Sequence, residues 1–132
     1  MTRLTIIFSL LFVTPAWAEI VLYCQEEIST GVVKKNDQWK TTAFELKRHT
    51  VKFDEKKMTL KGVSHKGMKC RVPYSFLPNA IYCVDIEYDH PLFVFDKESL
   101  RFSLYKPSHA SWVENHKFAD TNHTSHGTCQ KF

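Results

Sequence analysis

Hydrophobic residues recur at every second position through almost the whole chain once its first eighteen residues are set aside. That spacing commits it to strands rather than helices. Val51 and Phe53 alternate with Lys52, Asp54-Glu55-Lys56 turn the chain, and Met58 and Leu60 alternate with Thr59 and Lys61. Spacing and turn chemistry together predict a β-hairpin there. A second hairpin is predicted from 32–35 to 39–44 about Asn36-Asp37, and a third from 92–95 to 100–105 about residues 96–99. Tyr82, Val84, Ile86 and Tyr88 read as the apolar face of a further strand, leaving Cys83, Asp85 and Glu87 on the other face. The alternating carboxylates Asp85, Glu87 and Asp89 then read as a solvated outer wall. With residues 20–24 and 127–132 added, roughly seven to nine short strands are expected. Residues 110–119 are the best helical stretch, and a weak one. Aromatics at 14% of the chain suit strands better than helices. Sequential hairpins in so short a chain predict an all-β fold, a small antiparallel meander closed as a barrel in preference to a sandwich.

Residues 1–18 stand apart. Arg3 is their only charge, an apolar run of about ten residues follows, and Pro15 precedes Ala16-Trp17-Ala18. This pattern predicts a signal peptide cleaved after Ala18, since the run falls well short of the roughly 20 residues that span a bilayer. Residues 19–132 are then a single exported domain without a stable membrane anchor. Leu22 and Tyr23 before Cys24 are too large for a lipidation site. All four cysteines lie in this domain, and an even number in an exported chain predicts two disulfides. The expected pairing is Cys24–Cys129, joining first strand to last as barrel closure requires, with Cys70–Cys83 closing a short loop. No CxxC is present, so a redox-active pair has no support.

The net charge of +4 is evenly mixed: the lysine pairs at 34–35 and 56–57 and the Lys47-Arg48 pair interleave with Asp37, Glu45, Asp54 and Glu55. Solvated turns and strand edges explain that mixture, and a nucleic-acid partner is not expected. Catalytic signatures are missing. No G-x-S-x-G, H-E-x-x-H or glycine-rich phosphate loop occurs, and only four glycines are present. An enzyme is therefore not expected, and no cofactor is implied.

Histidine is the compositional oddity, with His90, His109, His116, His123 and His126 crowded into the last third. His116, His123 and His126 are the candidate metal ligands, because neutral imidazoles from one short segment can close around zinc or nickel. Loop-solvating histidines are the alternative. Residues 73–79, with two prolines between Cys70 and Cys83, and the unpatterned 108–125 read as loops, where binding residues concentrate. Tyr74 and Trp112 are the candidate binding residues there, as aromatics suit partner interfaces. The remaining aromatics are expected to fill the core; the alternative is a barrel cavity carrying a small apolar ligand.

Several landmarks occur together: Leu22-Tyr23-Cys24 with Glu26, then Gly31, Trp39 and Phe44. Phe93-Val94-Phe95-Asp96, Leu100-Arg101-Phe102 and the terminal Gly127-Thr128-Cys129-Gln130-Lys131-Phe132 follow. In these the chain resembles a group of short exported bacterial proteins of unknown function with a Tyr-Cys start and a Gly-Thr-Cys-x-Lys-Phe end. The resemblance implies a bacterial envelope setting and supplies no activity or site. Together these readings lead to a monomeric, non-catalytic protein-binding or inhibitor-like module with an envelope protein as partner.

Overall fold

The computed structural model describes residues 19–87, 92–107 and 121–132. The segment read as a signal peptide, the 110–119 stretch, Trp112 and His116 lie outside the described residues. Among the described residues nine strands form one antiparallel sheet: β1 (Ile20–Lys35), β2 (Gln38–Ala43), β3 (Arg48–Asp54), β4 (Thr59–Lys61), β5 (Met68–Arg71), β6 (Ala80–Asp85), β7 (Leu92–Asp96), β8 (Arg101–Lys106) and β9 (Thr121–Lys131).

Closure depends on β1, which is 16 residues long. Its first part pairs with β3 from Ile20↔Phe53 to Gln25↔Arg48, and its last part with β2 from Thr30↔Ala43 to Lys35↔Gln38. Both strands run antiparallel to β1 along the same edge, so β2 lies in line with β3 and extends the wall. The other edge of β1 pairs with β9 from Leu22↔Lys131 to Val33↔Thr121. That seam closes an eight-strand antiparallel barrel. The expected all-β barrel and both expected disulfides are present. Each disulfide joins residues directly opposite in register, Cys24↔Cys129 and Cys70↔Cys83.

Turn chemistry fixes the registers. Asn36 and Asp37 both take positive φ (50° and 61°), as a two-residue turn that follows the right-handed strand twist requires. The β3–β4 and β7–β8 turns repeat one device. An aspartate at the end of the first strand accepts backbone N–H bonds across the turn, Asp54 from Lys57 and Asp96 from Glu98 and Ser99. Four residues on, Met58 and Leu100 take φ of 50° and 57° and pack against the core. A non-glycine residue there costs about 1 kcal/mol or more, which burial of the side chain offsets.

The lower core holds Leu22, Val51, Phe53, Leu60, Ile81, Phe93, Phe95 and Phe102, all nearly inaccessible to water. Phe53 meets Phe95 edge-on at 5.2 Å, and Phe93 stacks on Phe102 at 5.3 Å. These rings pack on one another.

Two expectations are corrected. In β6 the inward residues are Ile81, Cys83 and Asp85, whereas Tyr82 and Val84 lie on the outer wall and Ile86 is half exposed. Both faces of this strand are apolar, and the register Ile81↔Phe95, Cys83↔Phe93 decides between them. A slip of one residue turns a strand inside out. Asp85 is thus buried rather than part of a solvated row. Secondly, residues 121–125, read as loop, belong to β9. Their His, Asn, Ser and Thr hide the strand from a hydrophobicity pattern.

Candidate functional site: a polar cluster inside the barrel

Connections alternate between the two ends of an antiparallel barrel. The β3–β4, β5–β6 and β7–β8 turns share one end with the start of β1 and the end of β9. At the opposite end the interior changes from hydrocarbon to polar groups.

The change begins in β1. Leu22, Cys24 and Glu26 follow strict inward alternation, so the third inward position carries a carboxylate that is only 3% exposed. A bulge then shifts the register between Glu26↔Gly127 and Ile28↔His126. The extra residue re-aims the strand, placing Ser29 rather than Ile28 inside. Gly127 permits the close approach of β9. A Cβ there would lie 2.0 Å from the Gln25 carbonyl oxygen and 2.8 Å from the Phe102 ring.

Three donors converge on Glu26. Its Oε1 accepts from the Ser125 hydroxyl (2.8 Å) and from His49 Nε2 (2.9 Å), and its Oε2 accepts from the Lys47 backbone N–H (2.9 Å). An ionised carboxylate only accepts, so the His49 proton resides on Nε2. Burial by itself raises the carboxyl pKa. The bonds from His49, Lys47 and Ser125, with attraction to the His49 ring, outweigh it and hold Glu26 below its ordinary value. Ser, His and Glu meet here, but not as a nucleophile triad. The serine proton points to the carboxylate and the imidazole N–H points to the same oxygen, so no base faces the hydroxyl.

Beyond Glu26, the interior row β1–β9–β8 reads Gly31, His123, Lys106, and the row below it reads Ser29, Ser125, Leu104. Burial lowers the Lys106 pKa; repulsion from Lys47 acts in the same direction, and attraction to Glu26 opposes it. Burial also lowers the pKa of His123, as do Lys106 and Lys47, with Glu26 again opposing. The Phe44 ring, from the break between β2 and β3, lies 4.8 Å from the His123 ring. Among the described residues, Ser29 Oγ is a buried polar side-chain atom without a hydrogen-bond partner.

Of the anticipated metal set, His116 lies outside the described residues, and His123 and His126 are not brought together. His123 and His126 both lie in β9 rather than in a turn. Three residues apart on a strand, they point to opposite faces. His123 faces inward, while His126 is exposed and its Nδ1 bonds the Ser103 hydroxyl at 2.8 Å. Among the described residues no three metal-binding side chains converge.

Tyr74 lies on the β5–β6 loop at the far end of the barrel, half exposed, with Phe76 stacked on it at 5.3 Å and 74% exposed. Val72 and Leu77 add to the same exposed apolar stretch. Leu77 N–H donates to the Tyr74 carbonyl and Ala80 N–H to the Leu77 carbonyl, and the Cys70–Cys83 bond closes the loop's base.

Sequence reasoning singled out Tyr74 but missed Phe76, and it missed the Glu26 cluster. A signal for that cluster was present. Glu26 continues the inward parity of Leu22 and Cys24, and His49 that of Val51 and Phe53. No protein-family model, curated protein or solved structure matches this chain.

Proposed function

We propose that the mature chain is an exported, disulfide-stapled binding module of the bacterial envelope that engages a protein partner through its 72–79 loop and carries out no catalysis. The observation that carries this reading is the Tyr74–Phe76 pair. Two aromatic rings stacked in water hold apolar surface away from the core, where burial would otherwise favour them. The loop is also pre-formed by Pro73, Pro78, two backbone bonds and the disulfide. Association then gives up little loop entropy, which raises affinity for a given contact area. Inhibitor-like modules act in this way, by offering a stiff apolar loop to a cleft. The two disulfides suit an oxidising compartment, and residues 1–18 supply the export signal.

The test is a photo-reactive residue at position 77 of the full chain, expressed in its own envelope, with adducts identified by mass spectrometry. One saturable protein adduct is expected, and Tyr74→Ser with Phe76→Ser is expected to remove it while the melting midpoint stays within a few degrees. An adduct that survives the double substitution refutes the loop as the docking surface. N-terminal sequencing of the same material is expected to begin at Glu19.

A further inference from the structure

We propose that the polar end of the barrel is a binding site for a small oxyanion, a carboxylate or phosphate group, held by the Lys106 ammonium and the Ser29 hydroxyl beside His123. The inference is independent of the loop proposal, because the loop lies at the opposite end of the barrel.

The first argument is an unmet hydrogen bond. Ser29 is 3% exposed and its hydroxyl has no partner among the described residues. A buried hydroxyl left unpaired is destabilising, and alanine would avoid the cost with almost no change of shape. The β1 bulge is what turns this residue inward, because without it the inward position would fall to Ile28. A buried hydroxyl left unpaired calls for a partner from outside the fold, and a ligand oxygen is one such partner.

The second argument is charge. Glu26 is already occupied by three donors of the protein itself. It therefore presents little free acceptor capacity to Lys106, although it attracts it. Lys47, which is exposed, and Lys106 both repel positive charge on His123, so among the described residues two ammonium groups stand against the Glu26 carboxylate here. Asp85, the other buried carboxylate among the described residues, stands on β6 and is not among the charges acting on Lys106 or His123. An anion supplies negative charge, and Ser29 on β1 and Lys106 on β8, in adjacent inward rows on either side of β9, offer it a hydroxyl and an ammonium. A cationic or purely apolar ligand would leave the ammonium excess unrelieved.

The experiment titrates the full mature protein with inorganic phosphate and, separately, with acetate, following the histidine ring signals by NMR. Sodium chloride at matched ionic strength is the control. Saturable movement of the His123 signals is expected, with affinity weakened about tenfold or more in Lys106→Met. Ser29→Ala is expected to weaken binding several-fold while raising the melting midpoint, a trade that a purely structural serine would not show. Saturation by phosphate alone assigns a phosphate-bearing ligand, and saturation by acetate alone a carboxylate. Equal movement with chloride overturns the proposal, as does wild-type affinity in both variants. Should Lys106→Met fail to fold, Ser29→Ala decides by itself.

Discussion

Replacing Glu26 by glutamine tests whether an ionised carboxylate organises the polar end of the barrel. The substitution keeps the shape and removes the charge. One end of the amide still accepts a hydrogen bond. The other presents N–H to donors, either the His49 and Ser125 pair at Oε1 or the Lys47 N–H at Oε2. Breaking a buried ionic arrangement by removing one partner typically costs 3–5 kcal/mol, and the surviving acceptor places this case near about 3 kcal/mol. For a domain of this size that lowers the midpoint by roughly 12 °C. The pH dependence is the sharper part. Glu26 has a folded pKa below its ordinary 4.5, so its contribution is fully present above that value and fades as pH falls through the lowered one. Wild type and variant should therefore differ most near neutral pH and converge as pH falls below the ordinary carboxylate range. Asp96 is also held low, by bonds from the Ser99 and Glu98 backbone, but it is common to both proteins and cancels from the difference. Urea unfolding at a series of pH values, with free energy taken at each, is the assay. A gap that stays constant with pH would refute the reasoning, because the loss would then reflect packing rather than charge.

The two disulfides should differ in weight. On the chain-entropy relation, the Cys24–Cys129 bond, closing 105 residues, contributes about 4.8 kcal/mol, against about 2.9 for the 13-residue Cys70–Cys83 loop. Paired serine substitutions compared by urea unfolding check the order, and equal losses would contradict it. Gly127→Ala should cost about 3 kcal/mol or prevent folding, since its Cβ meets backbone that cannot move aside. Circular dichroism melting reads this directly, and a loss under about 1 kcal/mol would show that the β1–β9 seam yields. Phe53→Ala should cost about 3–5 kcal/mol, because the ring is wholly buried against Phe95. A much smaller loss in urea unfolding would show that the lower core is loosely filled.

Local chemistry by itself determined much of this protein. Period-two alternation placed the hairpins about residues 36–37, 54–56 and 96–99, because strand pleat and turn preference are written within a few neighbouring residues; the structure extends the last two turns through Met58 and Leu100. The even cysteine number and the place of Cys24 and Cys129 at the two ends of the domain also pointed to the closing bond. Tertiary structure alone decided what each side of an ambiguous strand faces. Tyr82 and Val84 look as apolar as Ile81 and Cys83, and only pairing with Phe93 and Phe95 turns the second pair inward. It also decided that His123 and His126 lie on opposite faces, and that Glu26, His49 and Ser125, far apart in sequence, meet at one carboxylate oxygen. Hydrophobicity reports how a residue would pay for exposure to water. It carries no record of which distant donor will reach a buried acceptor, because that depends on register and closure, which long-range pairing sets.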